Sequence, residues 1–236
     1  MATVSTHRVS HATLITAFEN TRKANIVAFI LSNELIPLTS IVVAFKNAAR
    51  RGEFGHRYYY PDFDQVEIIA LLRKRNDIPG DVINDVFAEA MLHFCSGVLK
   101  ALSNDPRLRS ELRFAGLAKL ADKGCIQALQ ALVNEKLFSL DEMTKVLVKA
   151  ASAGHTAIVR LLLDKFNVPA TVMREAIIAA ARNNHNAVAR YLCKYKVWPA
   201  DVFQEALQAT SHKKLSNFLR TFIAPSQTDS TKFDGC

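Results

Sequence analysis

The sequence predicts an all-α fold, a right-handed solenoid of about seven stacked antiparallel helix pairs. Three observations predict it. Apolar residues recur with helical spacing, their pattern repeats every 30 residues, and the chain holds only 8 Gly and 7 Pro among 236 residues. Hydrophobic residues make up 50% of the chain and charged residues 22%, the balance of a folded rather than a disordered polypeptide.

The repeat is plainest when residues 146–175 are written above 176–205. Ala150-Ala151 falls on Ala180-Ala181 and His155 on His185. Ile158-Val159-Arg160-Leu161-Leu162 falls on Val188-Ala189-Arg190-Tyr191-Leu192, and Val168-Pro169 on Trp198-Pro199. Extended forward, the same ruler places Phe218, Leu219, Arg220 and Phe222 on Val188, Ala189, Arg190 and Leu192. Extended backward, it reaches Cys125, Ala128, Leu129 and Leu132, then Cys95, Val98, Leu99 and Leu102, then Ile68, Ile69 and Leu72. The first unit fits only after a break. Ile26 to Ile68 is 42 residues, so the second unit carries about 12 extra residues, placed near 54–65.

Each unit reads as two helices. The first is apolar at Val172, Ala176, Ile177, Ala180 and Ala181, and it often opens just after a proline, where a missing N–H costs nothing. Ser139-Leu140-Asp141-Glu142 has the spacing of a capping box. A polar hinge such as Ala153-Gly154-His155 follows, then a short second helix over 157–165. A hinge this short returns the chain antiparallel, and a lone pair cannot bury its apolar face, so neighbours must stack.

Residues 150–163, Ala-Ala-Ser-Ala-Gly-His-Thr-Ala-Ile-Val-Arg-Leu-Leu-Leu, resemble the two-helix core of an ankyrin repeat, and Ala180 to Leu192 is a weaker copy. The resemblance is strong over 145–196 and reduces to pattern elsewhere. It implies a repeat domain over 1–223 that binds another protein, with the hinge histidine capping and bracing its helix pair. Two departures stand out: no Thr-Pro-Leu-His tetrapeptide is present, and the period is 30 residues rather than about 33. A shortened or absent β-hairpin between units is therefore expected.

Cys95, Cys125, His155 and His185 have the composition of a zinc site, but not its geometry. Zinc ligands lie within about 2.0–2.3 Å of one ion, whereas equivalent positions in stacked helix pairs stand roughly 8–10 Å apart. Metal and cofactor sites are accordingly not expected. Nor does the sequence hold a phosphate-cradling glycine loop, a His-Glu-x-x-His pair or a recognisable nucleophile turn, so no catalytic residue is assigned. Asp62 and Asp64, in the insertion, are the carboxylates on which an enzymatic reading would rest.

The insertion carries the candidate binding residues. Arg50, Arg51 and Arg57 flank Tyr58, Tyr59 and Tyr60, three of the five tyrosines of the chain, and Arg73, Lys74 and Arg75 follow in the next loop. Tyrosine and arginine bury large areas while keeping a polar tip, the property that makes interface hot spots. The competing reading is a packed loop whose tyrosines cover the edge of the array. Lys and Arg outnumber Asp and Glu by 30 to 22, a formal charge of +8 and a pI near 9.4, which suits an acidic protein surface or nucleic acid. Arg160, Arg190 and Arg220 recur at one position, and a ladder of arginines would track phosphates if nucleic acid were the partner.

No apolar stretch reaches the 18 residues of a membrane span, the N-terminus lacks the apolar core of a signal peptide, and the four cysteines show no paired spacing. A soluble cytoplasmic protein is expected. Residues 224–236 read as a disordered tail, and Phe218, Phe222 and Ile223 leave an apolar edge for the tail or another chain to cap.

Overall fold

The computed structural model describes residues 10–50, 63–133 and 138–223. Among these residues there are fourteen helices and no strand, an all-α helical repeat as the sequence predicts. They form seven consecutive pairs: α1 (His11–Asn20) and α2 (Ala24–Asn33); α3 (Leu38–Arg50) and α4 (Phe63–Arg73); α5 (Gly80–Leu92) and α6 (Ser96–Ser103); α7 (Ser110–Lys123) and α8 (Ile126–Val133). Then follow α9 (Leu140–Ser152) and α10 (Thr156–Lys165); α11 (Ala170–Arg182) and α12 (Asn186–Tyr195); α13 (Ala200–Ala209) and α14 (Lys213–Ile223). From the third pair on, the first helices begin at residues 80, 110, 140, 170 and 200, so the 30-residue period is also the period of the helix starts.

Local chemistry explains where the helices begin and end. Pro79, Pro169 and Pro199 are extended N-caps before α5, α11 and α13, where a residue without an N–H costs no hydrogen bond. Ser139 and Glu142 form the expected capping box before α9, each side chain accepting from the other's backbone N–H. Four first helices, α5, α7, α9 and α11, end on left-handed residues in the same register: Phe94 (φ 54°), Gly124 (73°), Gly154 (85°) and Asn184 (59°). The N–H one residue later bonds back five residues, from Cys95 to Ala90, Cys125 to Leu120, His155 to Ala150 and His185 to Ala180, at 2.8–3.0 Å. Each hinge is thus a Schellman cap that satisfies helix-terminal carbonyls and reverses the chain.

The chain divides into two compact units, Met1–Gly116 with Ala131–Leu137, and Leu117–Gln130 with Phe138–Cys236. Within the first unit α1 packs on α3 and α3 on α5, while α2 packs on α4 and α4 on α6. Phe18, Phe45 and Phe87, all at most 1% exposed, occupy the eighth residue of successive first helices. Between them run polar ties: Asn47 Nδ2 donates to the Glu19 carbonyl at 3.0 Å, and Lys46 reaches Asp85 at 2.9 Å.

Within the second unit α9, α11 and α13 pack in order, as do α10, α12 and α14. Here the eighth residue is Leu117, Leu147 or Ile177, and Ala150, Ala151, Ala180 and Ala181 are fully buried where first helices approach closely. Trp198 fills the place of Val168, and its indole Nε1 donates to the Leu192 carbonyl at 2.9 Å, so the larger ring enters the core with its polar atom satisfied.

Residues 63–65, at the end of the stretch where the sequence places the extra chain of the second pair, form the first turn of α4. One expectation of register needs correcting. In the last pair His212 takes the hinge place of His185, 27 residues on instead of 30. Its carbonyl accepts from Leu215 and Ser216, as that of His155 accepts from Ile158 and Val159. Leu215 and Leu219 therefore fill the places of Val188 and Leu192, and both are fully buried. The arginine row does not continue to Arg220, because Asn217 stands in its third place.

Candidate functional site

Of the nine residues singled out from sequence, Arg51, Arg57, Tyr58, Tyr59 and Tyr60 lie outside the described residues, as does Asp62. The other four belong to the first unit. Arg50 closes α3, and its Nε donates to Glu89 Oε1 of α5 at 2.7 Å. That hydrogen bond, with the Arg50 charge and His93 in support, outweighs burial and holds the Glu89 carboxyl below its usual range. Arg73 closes α4 and donates from Nη1 to the Ala101 carbonyl. Arg75 grips Asp77 with two hydrogen bonds, 2.9 and 2.6 Å. Lys74, between them, is exposed and has no ion pair among the described residues.

These four residues fall in two places. Arg50 lies against Glu89 near the end of α5, while Arg73, Lys74 and Arg75 lie in the loop leading into its start at Gly80. Nine residues of helix separate those ends, about 14 Å at 1.5 Å per residue. A single small contact cannot cover both.

The loop of Arg73–Arg75 is held by a clamp of three residues not singled out from the sequence, Arg107, Asp105 and Asn84. Arg107 donates from Nε and Nη2 to the Asp105 carboxylate at 2.9 and 2.8 Å, from Nη1 to the carbonyls of Arg75 and Ile78 at 3.1 Å each, and from Nη2 to the carbonyl of Arg73 at 2.6 Å. Asp105 is only 5% exposed. Burial pushes its carboxyl up, but the Arg107 hydrogen bonds and the charges of Arg107 and Arg73 prevail and hold it below the usual carboxylate range. Asn84 completes the clamp, donating to the carbonyls of Gly80 (2.6 Å) and Arg107 (3.3 Å) and accepting from the Arg109 N–H at 3.0 Å. A signal was present in the sequence: Asp105-x-Arg107 follows Arg75-x-Asp77 by 30 residues with the charges exchanged. Beside the clamp lies an open cleft of about 380 Å³ lined by Arg73, Lys74, Asn76, Asn104, Asp105, Pro106 and Arg107.

The hinge residues work between repeats. His155 Nε2 lies 2.9 Å from the Asp122 carbonyl at the end of α7, and neither His155 nor His185 caps its own helix with its side chain. Their rings lie over the preceding hinge glycines: a Cβ on Gly124 would stand 2.6 Å from His155, and one on Gly154 2.4 Å from His185 Nδ1. Bracing is thus observed, and the expected side-chain cap is not. Cys95 Sγ lies 3.1 Å from the Ala49 carbonyl, and burial pushes the Cys193 thiol up to about 12, far from a thiolate at neutral pH. Among the described residues no three His, Cys, Asp or Glu side chains gather as metal ligands, and Asp64 is paired with Lys23 at 3.1 Å.

The arginine row in the second unit is engaged with rings. Arg160 lies over Tyr191 with its guanidinium carbon 5.1 Å from the ring centroid, and Arg190 lies over Phe218 at 4.6 Å. Tyr191 and Phe218 hold the same place once the shorter last hinge is allowed for. Phe218 also meets Phe222 edge-on at 5.1 Å, and Phe222 stacks on Phe203 at 4.7 Å, so the aromatic side chains at the C-terminal edge turn onto α13 and α12.

Residues 114–205 match the family model for ankyrin repeats, in three copies. No curated protein and no solved structure matches the chain. Among the described residues no helix is long and apolar enough to cross a membrane.

Proposed function

We propose that the chain is a protein-interaction module, an adaptor, inhibitor or scaffold without catalytic activity of its own, because residues 114–205 match ankyrin repeats, which mediate binding to other proteins. It acts in the cytoplasm through a helical repeat domain spanning residues 1–223. The partner engages the insertion of the second pair through Arg50, Arg51, Arg57, Tyr58, Tyr59 and Tyr60, and the following loop through Arg73, Lys74 and Arg75.

The observation that carries the reading is the Arg107 clamp. Of the five hydrogen bonds of the Arg107 guanidinium, two grip Asp105 and three fix the loop through the carbonyls of Arg73, Arg75 and Ile78, and the exposed Lys74 on that loop forms no ion pair among the described residues. A cation on a loop held in place loses little entropy when it meets a carboxylate, which is how preorganised surfaces gain affinity. With about 14 Å of helix between Arg50 and that loop, the partner is a folded surface or a helix long enough to reach both.

The test is a nuclease-treated pull-down comparing wild type with a Tyr58, Tyr59, Tyr60→Ala variant and with Lys74→Glu, circular dichroism confirming that each stays folded. A nuclease-resistant protein partner lost in both variants is the expected result. Partners that vanish with nuclease and ignore the tyrosines would move the assignment to nucleic acid.

A further inference from the structure

In the second unit several first-helix cations are paired: Arg174 binds Asp201 at 2.7 Å and also Glu205, and Lys149 meets Asp122 at 3.2 Å. Asp201 and Glu205 are the only carboxylates between Asn183 and Ile223, so both are taken up there. Helices α12 and α14 hold cations and no acid. Arg190, Lys194, Lys213 and Lys214 are exposed and none forms an ion pair among the described residues. They are brought together by packing: Arg190 and Lys194 both lie over the Phe218 ring, at 4.6 and 5.8 Å, and Arg190 Nη2 donates to the Lys214 carbonyl at 3.3 Å.

Two features make this more than a solvated face. Lys213 and Lys214 open α14, which has no acidic residue in its first turn, so two cations sit at the positive end of a helix dipole where they oppose helix formation. Guanidinium and ammonium groups laid over a ring are also fixed in place, and a stacked guanidinium keeps its N–H edge free to grip a carboxylate with two parallel hydrogen bonds. Positive potential is concentrated and preorganised where the sequence supplies nothing to neutralise it.

We propose that this face of α12 and α14 is a second docking surface that takes a short acidic segment of a partner protein. Charge complementarity selects the occupant. Single-stranded nucleic acid would need an open aromatic face for base stacking. Here the Phe218 ring is covered by two cations and the Tyr191 ring by Arg160. A duplex backbone would need a long track of cations. The row instead stops at Asn217 after two arginines, and Asp164 lies on α10 beside Arg160. The patch is as wide as two helices, the footprint of a few consecutive Glu or Asp residues.

The experiment is fluorescence anisotropy on the full chain with a labelled deca-glutamate peptide, a 20-base-pair DNA duplex and a 20-nucleotide single-stranded RNA. Wild type should bind the peptide, and Arg190→Gln with Lys194→Gln should weaken it about tenfold or more. Lys213→Gln with Lys214→Gln, which leaves the Phe218 stack intact, should weaken it several-fold, while Lys145→Gln on the first-helix side should change nothing. Thermal melts of each variant separate lost binding from lost fold. Failure of the peptide to bind overturns the proposal, as does binding that ignores both double variants. Tighter binding of either nucleic acid through these same residues would assign the face to nucleic acid instead.

Discussion

The two units build the same helix pairs with different materials. At the eighth residue of the first helix the first unit buries Phe18, Phe45 and Phe87, whereas the second buries Leu117, Leu147 and Ile177. The first unit fixes an inter-repeat loop with a buried clamp of Asp105, Arg107 and Asn84. Both units bury alanines between first helices, Ala48, Ala49 and Ala90 in the first and Ala150, Ala151, Ala180 and Ala181 in the second, and the second adds hinge histidines lying over glycines. The difference lies in the eighth residue: a ring there fills more space than Leu or Ile does, so its loss leaves the larger cavity.

The comparison can be broken most directly at its anchors. Phe87→Ala should cost about 4 kcal/mol and Leu147→Ala about 3 kcal/mol, read as denaturant midpoints in the full chain. Equal losses would show that the aromatic column anchors no more than the aliphatic one. Arg107→Met should cost about 3 kcal/mol, because it strands a buried carboxylate and three carbonyls. It should also change the acid limb of the stability profile. The folded Asp105 carboxyl lies below its unfolded value near ~3.9, so its contribution is present above that pH and lost as pH falls through the folded value. Without Arg107 that loss should shift to higher pH or disappear, which a titration of Tm between pH 2 and 7 would reveal.

In the second unit, Gly154→Ala should cost about 2 kcal/mol, combining left-handed strain with the contact against His185. In a His185→Ala background the contact is gone, so the same change should cost less; an unchanged penalty would leave backbone strain as its whole cause. Smallest is Ser139→Ala, about 1 kcal/mol for one lost cap, with a matching fall in the thermal midpoint.

Regularity also decided what could be read from sequence. The second unit was legible almost residue by residue, because Ala150-Ala151, His155 and Val168-Pro169 recur at one spacing and their periodicity marks both helices and core. The last pair misled the same ruler: its hinge is three residues shorter, and a fixed period puts Arg220 where the fold puts Asn217. The sequence named the loop of Arg73–Arg75 but not what holds it, since Arg107 lies 32 residues beyond Arg75 and a buried carboxylate looks like any surface aspartate until the chain is folded. Arg50 and Lys74 are close in sequence terms, within one helix pair, yet lie at opposite ends of α5. Linear proximity carries no information about which end of an antiparallel pair a residue occupies.

The hinge histidines give the array a direction. His185 can lie where it does because Gly154 presents no side chain, and His155 because of Gly124. Behind Asn184 the arrangement is different: the next hinge is shortened, and its histidine meets Asn186, with His212 Nδ1 and Asn186 Nδ2 3.2 Å apart. A hinge histidine that packs as His155 and His185 do therefore fits only behind a hinge that bears glycine, and one placed behind Asn184 must rest elsewhere, as His212 does.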